Sequence, residues 1–311
     1  MKPLVLLIFS GAVFAQDPGE GFRQLWNKEL LDKRPPATNP ATKNPNESLN
    51  RKAVYKPVSK PATTTKQNPK KDTSAKTSTA TALSVNDTLL GVTLWRLRRS
   101  TGGDNPNTRL LVLPPEGGAG VEYTPERISG DTPVANGDRV RMTIEVPRAG
   151  YLYVIDRELY ADGTTSAPYL IYPNRLTKPG DNLVAAGRIL EIPDSRDRPN
   201  NFEVRRGKPN QTAEQFSILV TPEPLPEKYR ASKGPLAIDE AEYKKWESQY
   251  FVESEIWELD GGTGKSWTEQ EKGANGGSKL NQDDPLPQTL YKVNCEPGKA
   301  MLVKVPVKMR Q

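Results

Sequence analysis

Residues 139–146 read RVRMTIEV, an alternation that puts Val140, Met142, Ile144 and Val146 on one side of an extended chain. Arg139, Arg141, Thr143 and Glu145 fall on the other. Successive side chains of a strand point to opposite faces, so this period of two predicts a half-buried strand. Pro147-Arg148-Ala149-Gly150 predicts a turn, and YLYVI (151–155) a strand buried on both faces. Similar short runs recur from about Asn86: GVTLWRL, RLLVL, PYLIY, RILEI, NFEVR, FSILV, FVESEIWEL, TLYKV and MLVKVPV, separated by Gly, Pro, Asn and Asp. Many short strands without helices between them predict an all-β fold, an immunoglobulin-like β-sandwich. One clear helix interrupts the series over 239–250. There Asp239 caps, Glu242 stands three residues on, and Tyr243, Trp246 and Tyr250 share a face expected to lie on a sheet. The domain proper is placed at 86–225, with 226–311 as an extension packed on it.

The N-terminal part reads differently. Lys2, the apolar run PLVLLIFSGAV and Val13-Phe14-Ala15 predict a signal peptide over 1–15, cleaved after Ala15. The protein is therefore expected to be exported, periplasmic or extracellular, with no transmembrane segment after cleavage. Residues 16–85 are rich in Pro, Thr, Ser, Asn and Lys, which predicts a disordered basic tether. Within it, Phe22, Leu25, Trp26 and Leu30 fall on one helical face. That face could dock on the domain or on a partner; its surroundings point instead to a weakly populated helix in the tail.

Charge follows the same division. Residues 16–85 hold 13 Lys/Arg against 6 Asp/Glu, whereas residues 86–311 hold 30 against 32. The sequence pI of about 9.2 thus belongs to the tail. A nucleic-acid reader carries its positive patch on the folded domain, so no nucleic acid is expected as a partner. The chain has no histidine, and Cys295 is its one cysteine. This composition rules out Ser-His-Asp and Cys-His sites, intrachain disulfides and thiolate zinc cages. No cofactor is expected.

Four motifs invite chemistry. GGTGKS (261–266) ends like a phosphate-binding loop, but the leading glycine of that motif would have to stand at Leu259. A glycine turn with Ser266 as N-cap and Glu269 closing a capping box accounts for more of its residues, so no nucleotide is expected. Asp156 and Glu158 leave a buried strand two residues apart, on one face, as a carboxylate acid/base pair would. Arg139 and Arg141 offer an anion-binding face that neighbouring acids are expected to neutralise. Cys295 is expected to be buried beside a strand end. The exit of the best strand gathers Asp156, Arg157, Tyr160 and Asp162 ahead of Gly163, and these four are the candidate binding residues, because loops at strand ends commonly carry recognition.

The run GDRVRMTIEVPRAGYLYVIDRELYADGTTSAPYLIYPN, then DNLVAAGRILEIPD, FEVRRGKP and FSILVTPEPL, resembles the bacterial domain of unknown function 4384 over residues 137–223. Tyr151, Tyr153, Pro173, Asn174, Gly187 and Pro193 match its pattern. The resemblance implies a β-rich, non-catalytic accessory module and carries over no catalytic residue. The expected function is an exported interaction module on a basic tether, binding an envelope protein or polymer. The alternatives are a carboxylate hydrolase using Asp156 and Glu158, and a structural envelope protein adhering to anionic surfaces.

Overall fold

The computed structural model describes residues 18–36, 53–58, 83–114, 118–173, 182–195, 197–229, 234–274 and 279–311. The expected signal peptide and Asn174 lie outside them. Among the described residues the strands form two antiparallel sheets.

The first sheet is organised by β2 (Asp87–Arg99), long enough to hold several partners at once. One edge pairs with β14 (Thr289–Asn294) over 87–92 and with β4 (Val121–Ile128) over 94–99; the other pairs with β5 (Arg139–Glu145) over 91–96. Outward from β14 come β13 (Ser254–Leu259) and β1 (Tyr55–Pro57). Outward from β4 comes β3 (Leu110–Val112), and β5 carries β9 (Ile189–Ile192) and β10 (Phe202–Glu203). The second sheet runs β12 (Leu236–Ala237), β7 (Tyr169–Tyr172), β6 (Gly150–Tyr160), β11 (Gln211–Thr221), β15 (Met301–Lys308), with β8 (Leu183–Val184) also on β6.

The sheets pack face to face, as the alternation predicts. Leu90, Val92 and Leu94 of β2 and Val140, Met142 and Ile144 of β5 meet Leu152 and Val154 of β6, Ile218 and Val220 of β11, and Val303 and Val305 of β15 in one core. Tyr153, Ile155, Leu219 and Leu302 face the other way, under α2 (Glu240–Tyr250). Asp239 caps that helix by accepting from the Ala241 and Glu242 amides, and Tyr243 and Trp246 bury its inner face. The expected all-β sandwich with short added helices is what the chain forms. β4 had no counterpart among the expected strands, because Pro125 interrupts its apolar pattern.

The far face of the first sheet departs from expectation. The face with Arg141, Thr143 and Glu145 is as buried as the core face, at 1%, 5% and 2% exposure. Two parts of the expected tether lie against this sheet. Helix α1 (Pro18–Glu29) sets Phe22, Leu25 and Trp26 among Tyr55, Leu89, Trp257 and Leu290, with the Phe22 and Trp257 rings stacked 3.9 Å apart. The chain then runs to Arg34, whose fork holds both Glu145 oxygens at 2.7 and 2.9 Å and the Asp284 carbonyl at 2.7 Å. The tether reading is therefore corrected for 18–36 and 53–58. Four large apolar side chains at helical spacing bury enough surface to offset the ordering of so short a segment. Residues 37–52 and 59–82 lie outside the described residues.

Candidate functional site

The four residues expected to form a binding loop do not share a surface. Strand β6 continues through Tyr160, so Asp156, Arg157 and Tyr160 are strand residues and alternate in direction. Arg157 points outward beneath α2: its guanidinium pairs with Glu240 at 3.0 Å, donates to the Ser166 carbonyl at 2.8 Å and to the Thr165 hydroxyl, and lies 4.8 Å from the Tyr243 ring centre. Asp156, Glu158 and Tyr160 lie on the opposite face, continuing the line of Leu152 and Val154 to the end of the sandwich. Asp162 stands in the turn beyond, accepting from the Thr164 amide at 2.9 Å. The grouping assumed a loop, in which neighbours can converge; a strand separates them.

What converges on the inner face is a carboxyl cluster with a member that the sequence did not single out. Glu214 of β11 pairs opposite Glu158, and Phe216 opposite Asp156, so Asp156 lies diagonally across from Glu214. The two carboxyls hydrogen-bond each other, and burial raises the pKa of both. The Asp156 charge pushes Glu214 further, so the pair retains a shared proton beyond the ordinary carboxyl range. Gln211 donates to Glu214 at 2.7 Å, and the Tyr160 hydroxyl donates to Glu158. Gly207 lies so close over the Glu158 carboxylate that a β-carbon there would overlap it. The three acids thus engage one another and the chain around them.

The GGTGKS stretch runs alongside β4, and its Gly262, Gly264 and Lys265 amides are engaged. Gly264 N–H donates to the Arg127 carbonyl at 2.9 Å and Trp267 N–H to that of Pro125 at 3.1 Å. Ser266 makes a β-bridge with Glu126 and is not the helix cap. The cap is Thr268: its hydroxyl accepts from Glu271 N–H at 3.1 Å while Glu271 accepts from Thr268 N–H at 2.8 Å, ahead of α3 (Glu269–Ala274). The capping box is therefore real but two residues later, because Trp267 must first turn inward to reach Trp95. Arg139 pairs with Glu203 at 3.2 Å and Arg141 with Glu191 at 2.8 Å, so acids neutralise both as expected. Cys295 is free and buried at the end of β14.

A concavity lies elsewhere, beside β15. A groove of about 900 Å³ has Ile256, Tyr291 and Val293 of β13 and β14 in its lining, together with Pro306 and Lys308 of β15. Gly130 and Asp131 line it after β4, Val58 after β1 and Ser84 ahead of β2. Its charged lining is Asp87, Asp131, Glu253, Glu255 and Glu258 against Lys292 and Lys308. Lys292 is shared between Glu255 at 3.2 Å and Asp87 at 3.5 Å. Glu258 accepts from Gly130 N–H and the Thr289 hydroxyl, both at 2.8 Å, while burial raises its pKa. Sequence reasoning missed this site because its residues come from segments far apart in the chain, each with an ordinary strand pattern.

Among the described residues, no helix is long and apolar enough to cross a membrane. No curated protein and no solved structure matches the chain. One family's sequence model does match, over residues 134–224, which span β5 to β11 and leave all of the groove lining outside. The centre of this two-sheet fold, residues 134–224, matches the model of the family described as Domain of unknown function (DUF4384).

Proposed function

We propose that the protein is exported and acts as a non-catalytic interaction module, taking an envelope protein or polymer in the groove beside β15. The groove itself carries this reading: a concavity of about 900 Å³ with apolar side chains in its lining and charged groups around them, the usual make-up of a binding site. Its lining comes from β2, β13, β14 and β15 and from the segments after β1 and β4, all outside the matched residues, so what it binds is a property of this chain's own additions. Of the carboxyls that acid–base chemistry would use, Asp156 engages Glu214, and Glu158 accepts from the Tyr160 hydroxyl with Gly207 close over it. Export rests on Lys2, the apolar run and Val13-Phe14-Ala15. The test is affinity capture from envelope extracts with the wild-type chain and an Ile256→Arg variant whose melting temperature is checked. A partner held by the wild type and lost by the folded variant supports the reading. Equal capture by both refutes it.

A further inference from the structure

The groove runs along a strand edge that no described residue pairs over a short window. Among the described residues, strand β15 pairs with another strand, β11, on one side only. On its other side, Val252 N–H donates to the Leu302 carbonyl at 3.1 Å, Val134 N–H to the Lys308 carbonyl at 2.9 Å, and Arg310 N–H to the Val134 carbonyl at 2.7 Å. Residues 302, 308 and 310 therefore direct their backbone groups to this edge, and the alternation of an antiparallel strand assigns Lys304 and Pro306 the same direction. Opposite β11, Pro306 stands where its missing N–H leaves the ladder intact. Between Leu302 and Lys308, roughly 20 Å of strand, the edge offers the Lys304 N–H and carbonyl and the Pro306 carbonyl.

Resting on the groove reading above, we propose that the occupant is an extended, lysine-bearing segment of a partner protein, added to β15 as a further strand. Backbone pairing would hold it, and alternate side chains would meet the apolar Ile256 and Val293 and the groove's acids. The lining carries five acidic residues against two lysines, which selects a cationic strand. A second copy of β15 fits poorly. Antiparallel self-pairing would bring the lysines of both copies together and set Pro306 where a donor is needed.

The test uses the full mature chain and three blocked octapeptides: alternating valine and lysine, the same with glutamate for lysine, and the lysine peptide N-methylated at every residue. Binding is read by fluorescence anisotropy and strand addition by hydrogen exchange at the Lys304 amide. The valine–lysine peptide should bind and slow that exchange at least tenfold, with the other two peptides at least tenfold weaker. Asp131→Asn with Glu255→Gln should weaken it several-fold and flatten its salt dependence. Equal binding of the N-methylated peptide, or no binding by any of the three, overturns the inference. Capture lost by Ile256→Arg would still uphold the groove in either case. A Lys304 amide already slow in the free chain also overturns it: in favour of the chain's own 59–82 segment if replacing that segment with Gly/Ser restores exchange, or of a second copy if dilution does.

Discussion

The Asp156–Glu214 pair sits where the inner face of the sandwich meets its end, and a proton holds the two acids together. Both pKa values are raised by burial, so the unfolded chain ionises these groups at lower pH than the folded one does. The pair is harmless to stability below the ordinary carboxyl range. It becomes progressively destabilising as pH rises from there through the raised folded values, then levels off. Asp156→Asn should therefore be more stable than wild type at pH 8 by about 1 kcal/mol or more, from roughly 1.4 kcal/mol per pKa unit. The gain should shrink towards pH 4. Urea denaturation across that range reads it, and a gain that grows towards acid pH would contradict the assignment. At the same scale, Arg141 and Glu145 look like solvent-facing residues in RVRMTIEV. An alternating pattern records only which side chains are polar. Whether water or another polar side chain meets them depends on what packs over the strand, and here that is Glu191 and Arg34.

Among the elements, the N-terminal strap is the one whose role the structure reverses. Phe22, Leu25, Trp26 and Leu30 are each at most 5% exposed, and the Lys33 carbonyl lies 2.5 Å from where a β-carbon on Gly187 would stand. Gly187, with φ near +70°, thus serves both its own turn and the strap's close approach. A chain of residues 37–311 should melt at least 10 °C below one of residues 16–311, since several kcal/mol of buried apolar contact and a buried ion pair go with the strap. Calorimetry on the two forms checks this; a difference of a degree or two would mean the strap adds nothing. The α3 cap gives a finer test. Thr268→Ala should cost about 1 kcal/mol as a lost N-cap, whereas Ser266→Ala should lie within about 0.5 kcal/mol of wild type. Equal effects would return the cap to Ser266.

For the whole molecule, the matched domain and the folding unit differ. Residues 134–224 supply β5 to β11, but β5 pairs with β2, β11 with β15, and the core joins side chains from all four. A fragment of residues 134–224 would leave β5 and β11 with open apolar edges and half a core. It should show no cooperative thermal transition by circular dichroism, in contrast to residues 16–311. A sharp transition in the fragment would mean that the flanking strands are additions to a self-sufficient domain.

Strand series, turns, the α2 helix with its Asp239 cap and the central domain family were legible in the chain because each rests on local chemistry. Alternation, glycine and proline turns, capping residues and a dense family pattern all act within a few residues of one another. What only the tertiary structure decided were the matters of who meets whom. Glu214 joins Asp156 through a cross-strand register, Arg157 parts from Asp156 because the strand does not stop, and α1 is ordered only by the sheet it covers. The groove beside β15 arises the same way, from residues as far apart in sequence as Val58 and Lys308. Contacts between distant segments depend on the summed packing of both sheets, and no local pattern in the chain encodes that sum.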